Sequence, residues 1–166
     1  MPSHASWWGN RARQFRAHLY ASVRPQERQD LAAWTTPQQQ VIFDAMHVAD
    51  QRHGLDVVTS LRARDVTEVD VLVAGLIHDA GKGRTGVWPR VAWTLGERFG
   101  SWVWRIAALL PGFRAALARL GDHAGISADM AAAAGCSALT VDLIRHQASP
   151  LDRQYGELLR LADEAN

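Results

Sequence analysis

The sequence predicts an all-α fold, and three observations carry that prediction. Apolar residues recur at helical spacing along most of the chain, as in Val41, Ile42, Ala45, Met46 and Ala49. No stretch shows sustained period-two alternation bounded by turn residues. Glycines and prolines stand between the periodic segments as punctuation, at Gly86, Pro111, Gly121, Gly135 and Pro150.

Taken in order, residues 7–23 read as a first helix, with Trp8, Phe15, Leu19 and Val23 on one stripe and arginines opposite. A second helix begins at Pro25 and closes at Trp34. Thr35-Thr36-Pro37 is an N-cap followed by proline in the first turn, which opens a third helix running toward His53. Gly54 is expected to bend that helix before Leu55, Val57, Val58 and Leu61 continue it. Thr67 with Asp70 three residues on resembles a capping box. The helix it opens, an apolar run from Val69 to Ile77, leads straight into His78-Asp79-Ala80-Gly81-Lys82. Beyond a glycine-rich loop, further helices are expected over 89–95, 102–110, 114–120, 126–134, 137–146 and 150–165. Trp93, Trp102 and Trp104 fall on these helices and Trp88 directly precedes the first of them; all four are expected in the core.

At 166 residues a single domain is the default expectation, with residues 1–36 a helical extension packed on the core formed by 37–166. A formal net charge of +1 gives no footprint for nucleic acid, although five arginines between Arg11 and Arg28 make the N-terminal region locally basic. One cysteine, Cys136, excludes an internal disulfide and fits a reducing compartment, so the expected location is cytoplasmic. The most apolar stretch, 101–113, contains Arg105 and Pro111 and falls short of the ~20 residues a membrane-spanning helix needs. No membrane partner is therefore expected.

His53, His78, Asp79, His123, His146 and Asp163 each fall at or near the end of a predicted helix. Neighbouring helix residues point about 100° apart, so His78 and Asp79 reach one centre only where other helices converge on it. Imidazole and carboxylate together suit Mn, Fe, Co or Zn better than Mg or Ca. Taken singly, each histidine is explained as well by an ordinary hydrogen bond in the core.

As a set they resemble the HD superfamily of metal-dependent phosphohydrolases. The resemblance is carried by Asp50-Gln51-Arg52-His53, by His78-Asp79-Ala80-Gly81-Lys82 and by Leu161-Ala162-Asp163, and it covers roughly residues 41 to 166. The stretch Gly121-Asp122-His123-Ala124-Gly125 and Leu143-Ile144-Arg145-His146 look like the second-metal histidines of the HD-GYP proteins. The resemblance implies an HD-type helical bundle and two divalent transition-metal ions. His53, His78, Asp79 and Asp163 would hold one ion, with Asp79 bridging to a second held by His123 and His146. It further implies hydrolysis of a nucleotide or other small phosphate ester, with Asp79 and Lys82 as the catalytic pair and Lys82 offsetting phosphoryl charge. Asp50 would orient a ligand and Arg145 would meet phosphate, although a surface ion pair explains Arg145 equally well. Gln147 replaces a further HD-GYP histidine and the Gly-Tyr-Pro signature is missing, which argues against cyclic dinucleotides. Two alternatives remain open: an oxygenase like myo-inositol oxygenase, with two irons in the same ligand order, and a non-catalytic nucleotide-binding module.

Overall fold

The computed structural model describes residues 21–166, and these are all-α, with no strand among them. The helices are α1 (Pro25–Ala32), α2 (Pro37–Ala45), α3 (Val48–Arg62), α4 (Val69–Ile77), α5 (Val87–Phe99), α6 (Trp102–Ala107), α7 (Phe113–Gly121), α8 (His123–Ala133), α9 (Ala138–Arg145) and α10 (Tyr155–Glu164). A single 3-10 turn, Ala80–Lys82, follows α4.

Helix α4 is the axis of the molecule. Every residue from Val71 to Ile77 is buried, so it is apolar on all sides, as a helix enclosed by others must be. α3, α9, α10 and α2 pack around it, and α9 in turn packs on α8. Leu31 of α1 reaches the same core, with Val23 and Trp34 against it. Helices α5 to α7 form a smaller lobe. It is held together by Trp93 stacked on Trp104 (centroids 4.7 Å apart), with the Trp104 indole donating to the Trp93 carbonyl at 3.0 Å.

Several boundaries differ from the sequence expectation, each for a physical reason. Most of the first predicted helix lies outside the described residues, and 21–24 carry no helix. The predicted bend at Gly54 does not occur; Gly54 lies inside a continuous α3. A Cβ there would stand 2.3 Å from the Leu76 carbonyl oxygen, so this glycine serves the close approach of α3 to α4. The break falls instead at Met46, in extended backbone (φ −68°, ψ 157°). Gln51 supports that break, because its buried amide lies within hydrogen-bonding distance of the carbonyls of Phe43 (3.0 Å), which also accepts from the Met46 amide, and of Asp44 and Met46 (3.3 Å each). His47 caps α3, its ring accepting from the Ala49 amide at 3.2 Å.

The Thr36 cap is formed as expected, reciprocally with Gln39. The Thr67–Asp70 box is not, since α4 starts one residue later, with Glu68 at the cap position and no side-chain capping bond. Helix α10 begins at Tyr155 rather than at Pro150 because Asp152 Oδ1 accepts from the amides of Gln154, Tyr155 and Gly156. Trp88 and Trp102, expected in the core, are 73% and 53% exposed.

Candidate metal centre

Five of the six candidate ligands converge where α3, α4, α8 and α10 meet. Helix α3 brings His53, the end of α4 brings His78 and Asp79, the first residue of α8 is His123, and α10 brings Asp163. The Gly54–Leu76 contact sets the distance between the first two helices, and the His53 and His78 rings meet edge to face at 5.3 Å.

The polar atoms alternate. His53 Nε2 lies 2.7 Å from Asp163 Oδ1, which lies 3.4 Å from His78 Nε2. His78 Nε2 lies 3.6 Å from Asp79 Oδ1, and that oxygen lies 3.6 Å from His123 Nε2. Lys82 closes the series with its ammonium 2.5 Å from Asp79 Oδ2. Three imidazoles therefore present Nε2 toward two carboxylates, and ligand atoms of His53, His78 and Asp163 all lie within 4.8 Å of one another.

Two of the rings are fixed by the backbone. His78 Nδ1–H donates to the Gly75 carbonyl at 2.9 Å, and His123 Nδ1–H donates to the Leu120 carbonyl at 2.7 Å. Both acceptors sit in the last turn of a helix, where carbonyls have no amide donor of their own. This is the outer hydrogen bond that metal-binding histidines ordinarily make, since it points the other nitrogen inward. His78 Nε2 is buried without a hydrogen-bond partner, an arrangement that costs free energy unless something else meets the atom. His53, His78 and Asp163 are a group that could hold a metal ion.

Charge is strongly redistributed here. Burial opposes ionisation of Asp79, yet attraction from Lys82, His78, His53 and His123 outweighs it and holds the carboxyl well below the usual range. Asp163 is likewise held low against its burial, by the hydrogen bond from His53 and by His78. Burial pulls His78 down, but Asp79 and Asp163 on either side raise it to about 9. His123 is lowered, chiefly by burial. Lys82 is raised by Asp79 despite burial, so its ammonium is held in an ion pair rather than free in the loop.

The remaining candidates lie elsewhere. His146, at the end of α9, pairs with Asp142 one turn earlier (3.5 Å) and is not among the residues drawn together. Arg145 makes an exposed ion pair with Asp129 at 2.7 Å. Both carboxylate oxygens of Asp50 are taken by Arg90, at 2.7 and 2.6 Å, so Asp50 anchors the loop after Lys82 and does not touch a ligand.

Comparison with protein-family models, with curated proteins and with solved structures finds no match to this chain.

Three contributors escaped the sequence reading. Arg90 also donates to the carbonyls of Thr85 (3.1 Å) and Gly83 (3.4 Å), which fastens the 83–86 loop over Asp50. Ser127 Oγ accepts from the Gly81 amide at 2.8 Å, docking the 3-10 turn on α8. Arg119 reaches the Gly81 carbonyl at 3.4 Å and brings a second cation to that turn. None of the three had a local signal, since each meets its partner 38 to 46 residues away in the chain.

Proposed function

We propose that the chain is a metal-dependent phosphohydrolase acting on a nucleotide or other small phosphate ester. The reading is carried by the alternating cluster of three imidazole Nε2 atoms and two carboxylates, two of the rings being oriented by backbone carbonyls. The likeness of His53, His78-Asp79, Lys82 and Asp163 to the HD pattern supports it further.

In this reading His53, His78, Asp79 and Asp163 hold one divalent cation, with Mn, Fe or Co as the candidates. Asp79 and His123 offer a second position; His146 joins it only by leaving Asp142. When bound, such cations supply Lewis acidity toward a phosphoryl oxygen and lower the pKa of water. Asp79 fixes the position of Lys82, and Lys82 with Arg119 sets positive charge along the Gly81–Gly83 turn, where a phosphate ester would need it. The 83–86 loop, tied down by Arg90, forms a fixed edge to that approach.

The test combines elemental analysis, before and after loading with Mn or Fe, with hydrolysis of bis(p-nitrophenyl) phosphate and with oxygen consumption. Hydrolysis that depends on added metal and disappears in Asp79→Asn, while the far-UV circular dichroism is unchanged, is the expected result. Iron retained through purification together with oxygen uptake would replace this reading with the oxygenase. Failure to take up any metal would leave the nucleotide-binding module.

A further inference from the structure

The α5–α7 lobe carries a face that the core does not use. Phe99, Trp102, Ile106, Leu109 and Leu110 are all more than half exposed, Leu109 reaching 84%. Trp102, Ile106, Leu109 and Leu110 follow the i, i+4, i+7, i+8 spacing of a single helical stripe, so they emerge on one side of α6 and the turn that continues it. The opposite side of α6 is the one that packs, through Trp104 on Trp93 and through buried Ala107. Other large apolar side chains are exposed singly, but several in one helical stripe mark a contact site.

Charge decides between occupants. Residues 84–121 contain six arginines and one acidic residue, Glu97; Arg90 is held by Asp50 and Arg119 turns to the Gly81 carbonyl, away from this face. Arg105 borders the stripe on α6 and Arg114 follows it on α7; both are exposed, and neither has a carboxylate partner among the described residues. The centre of the face offers aliphatic groups and indole, none of which reads a base edge or holds a phosphate in a groove. A second copy docked by two-fold symmetry would bring the Arg105 and Arg114 charges of both copies into one interface. An aromatic and aliphatic centre with arginine at its margin is instead the composition of a segment lying in the interfacial layer of a bilayer.

We propose that the face formed by α6 and its flanking turns binds anionic lipid surfaces peripherally, with Trp102, Ile106 and Leu109 entering the headgroup layer and Arg105 and Arg114 meeting the lipid phosphates. No helix among the described residues is long and apolar enough to cross a membrane, so the contact lies along the surface. The expectation of no membrane partner rested on the lack of a spanning run, which surface binding does not need.

The test is flotation of the full chain with vesicles of equimolar phosphatidylcholine and phosphatidylglycerol, beside vesicles of phosphatidylcholine alone. The chain should float with the anionic vesicles, more weakly with the neutral ones, and less as salt rises. Leu109→Asp should weaken partitioning on the order of tenfold or more. Arg105→Gln should weaken it about fivefold, the effect of one cation near an anionic surface. Both sites are exposed, so unchanged thermal melting confirms that the variants fold. Three results would overturn the proposal: no flotation with anionic vesicles, equal binding to neutral ones, or full binding by Leu109→Asp. A dimer in solution that Leu109→Asp dissociates would assign the face to a second copy instead.

Discussion

Arg90→Ala should be among the most damaging single substitutions away from the cluster itself. Asp50 is 5% exposed and both its oxygens are held by Arg90 at 2.6 to 2.7 Å, so truncation strips a buried carboxylate of its hydrogen-bonded counter-ion and leaves it only the charge of Lys82. Removing one partner of such a pair costs about 3–5 kcal/mol. A domain has roughly 5–15 kcal/mol in all. At this chain length 1 kcal/mol moves the melting temperature by about 2–4 °C, which places the expected drop at roughly 6–20 °C. The assay is urea and thermal unfolding followed by circular dichroism, with Asp50→Leu/Arg90→Met as the control. That double replacement removes both charges at similar volume and should cost about 1 kcal/mol or less. A cost below about 1 kcal/mol for Arg90→Ala, or a double variant less stable than the single one, would show that Asp50 is not the stranded charge the geometry describes.

Other outcomes follow from the same contacts. In the cation-free protein His78 is raised from 6.5 to about 9, so the stability it contributes is complete below pH 6.5 and is lost as pH rises through 9. Denaturation midpoints measured from pH 6.5 to 9.5 should fall, and saturating Mn should remove the slope. Because cation binding displaces that proton, affinity for Mn should rise about tenfold between pH 6.5 and 7.5, as read by calorimetric titration; a flat profile would place the proton elsewhere. Gly81→Ala puts a Cβ 2.2 Å from the His123 carbonyl oxygen and 2.9 Å from the Ser127 nitrogen, both backbone atoms that cannot swing aside. It should cost about 2–3 kcal/mol in urea unfolding and lower the affinity for any cation that uses His123. His53→Ala and Asp163→Ala should each abolish uptake of the first cation by elemental analysis, whereas His146→Ala should leave it intact; the reverse order would refute the assignment of ligands.

The helical class was legible because the apolar spacing of Val69 to Ile77 and its neighbours answers directly to burial, and α4 is the most enclosed helix of the fold. His78, Asp79, His123 and Asp163 were legible for a related reason, since they lie at or near helix ends; His53, expected at a helix end as well, lies inside the continuous α3. Arg90 was harder to find. An ion pair between residues 50 and 90 joins positions forty residues apart, which no local pattern states. The break at Met46 was misplaced for the same reason. Gly54 carries the stronger local signal, but the tight approach of Leu76 claims it, while Gln51, remote from any turn motif, collects the carbonyls that make the true break possible. Residue type misled most at Trp88 and Trp102. An indole is ordinarily buried, and only the packing of α6 through its other side leaves Trp102 on the outside.

The rings of His78 and His123 each hang from the carbonyl three residues before them, at Gly75 and Leu120. The lengths of α4 and α7 are therefore a calibrated measure. One residue inserted in either would rotate the histidine that follows it about 100° and advance it 1.5 Å, taking Nε2 out of the cluster. Insertions and deletions should be rejected in these two helices and accepted in the exposed Leu109–Gly112 connection between α6 and α7. A deletion scan would thus map the cluster without any assay of chemistry, since the helices whose length cannot change are those that aim a ligand.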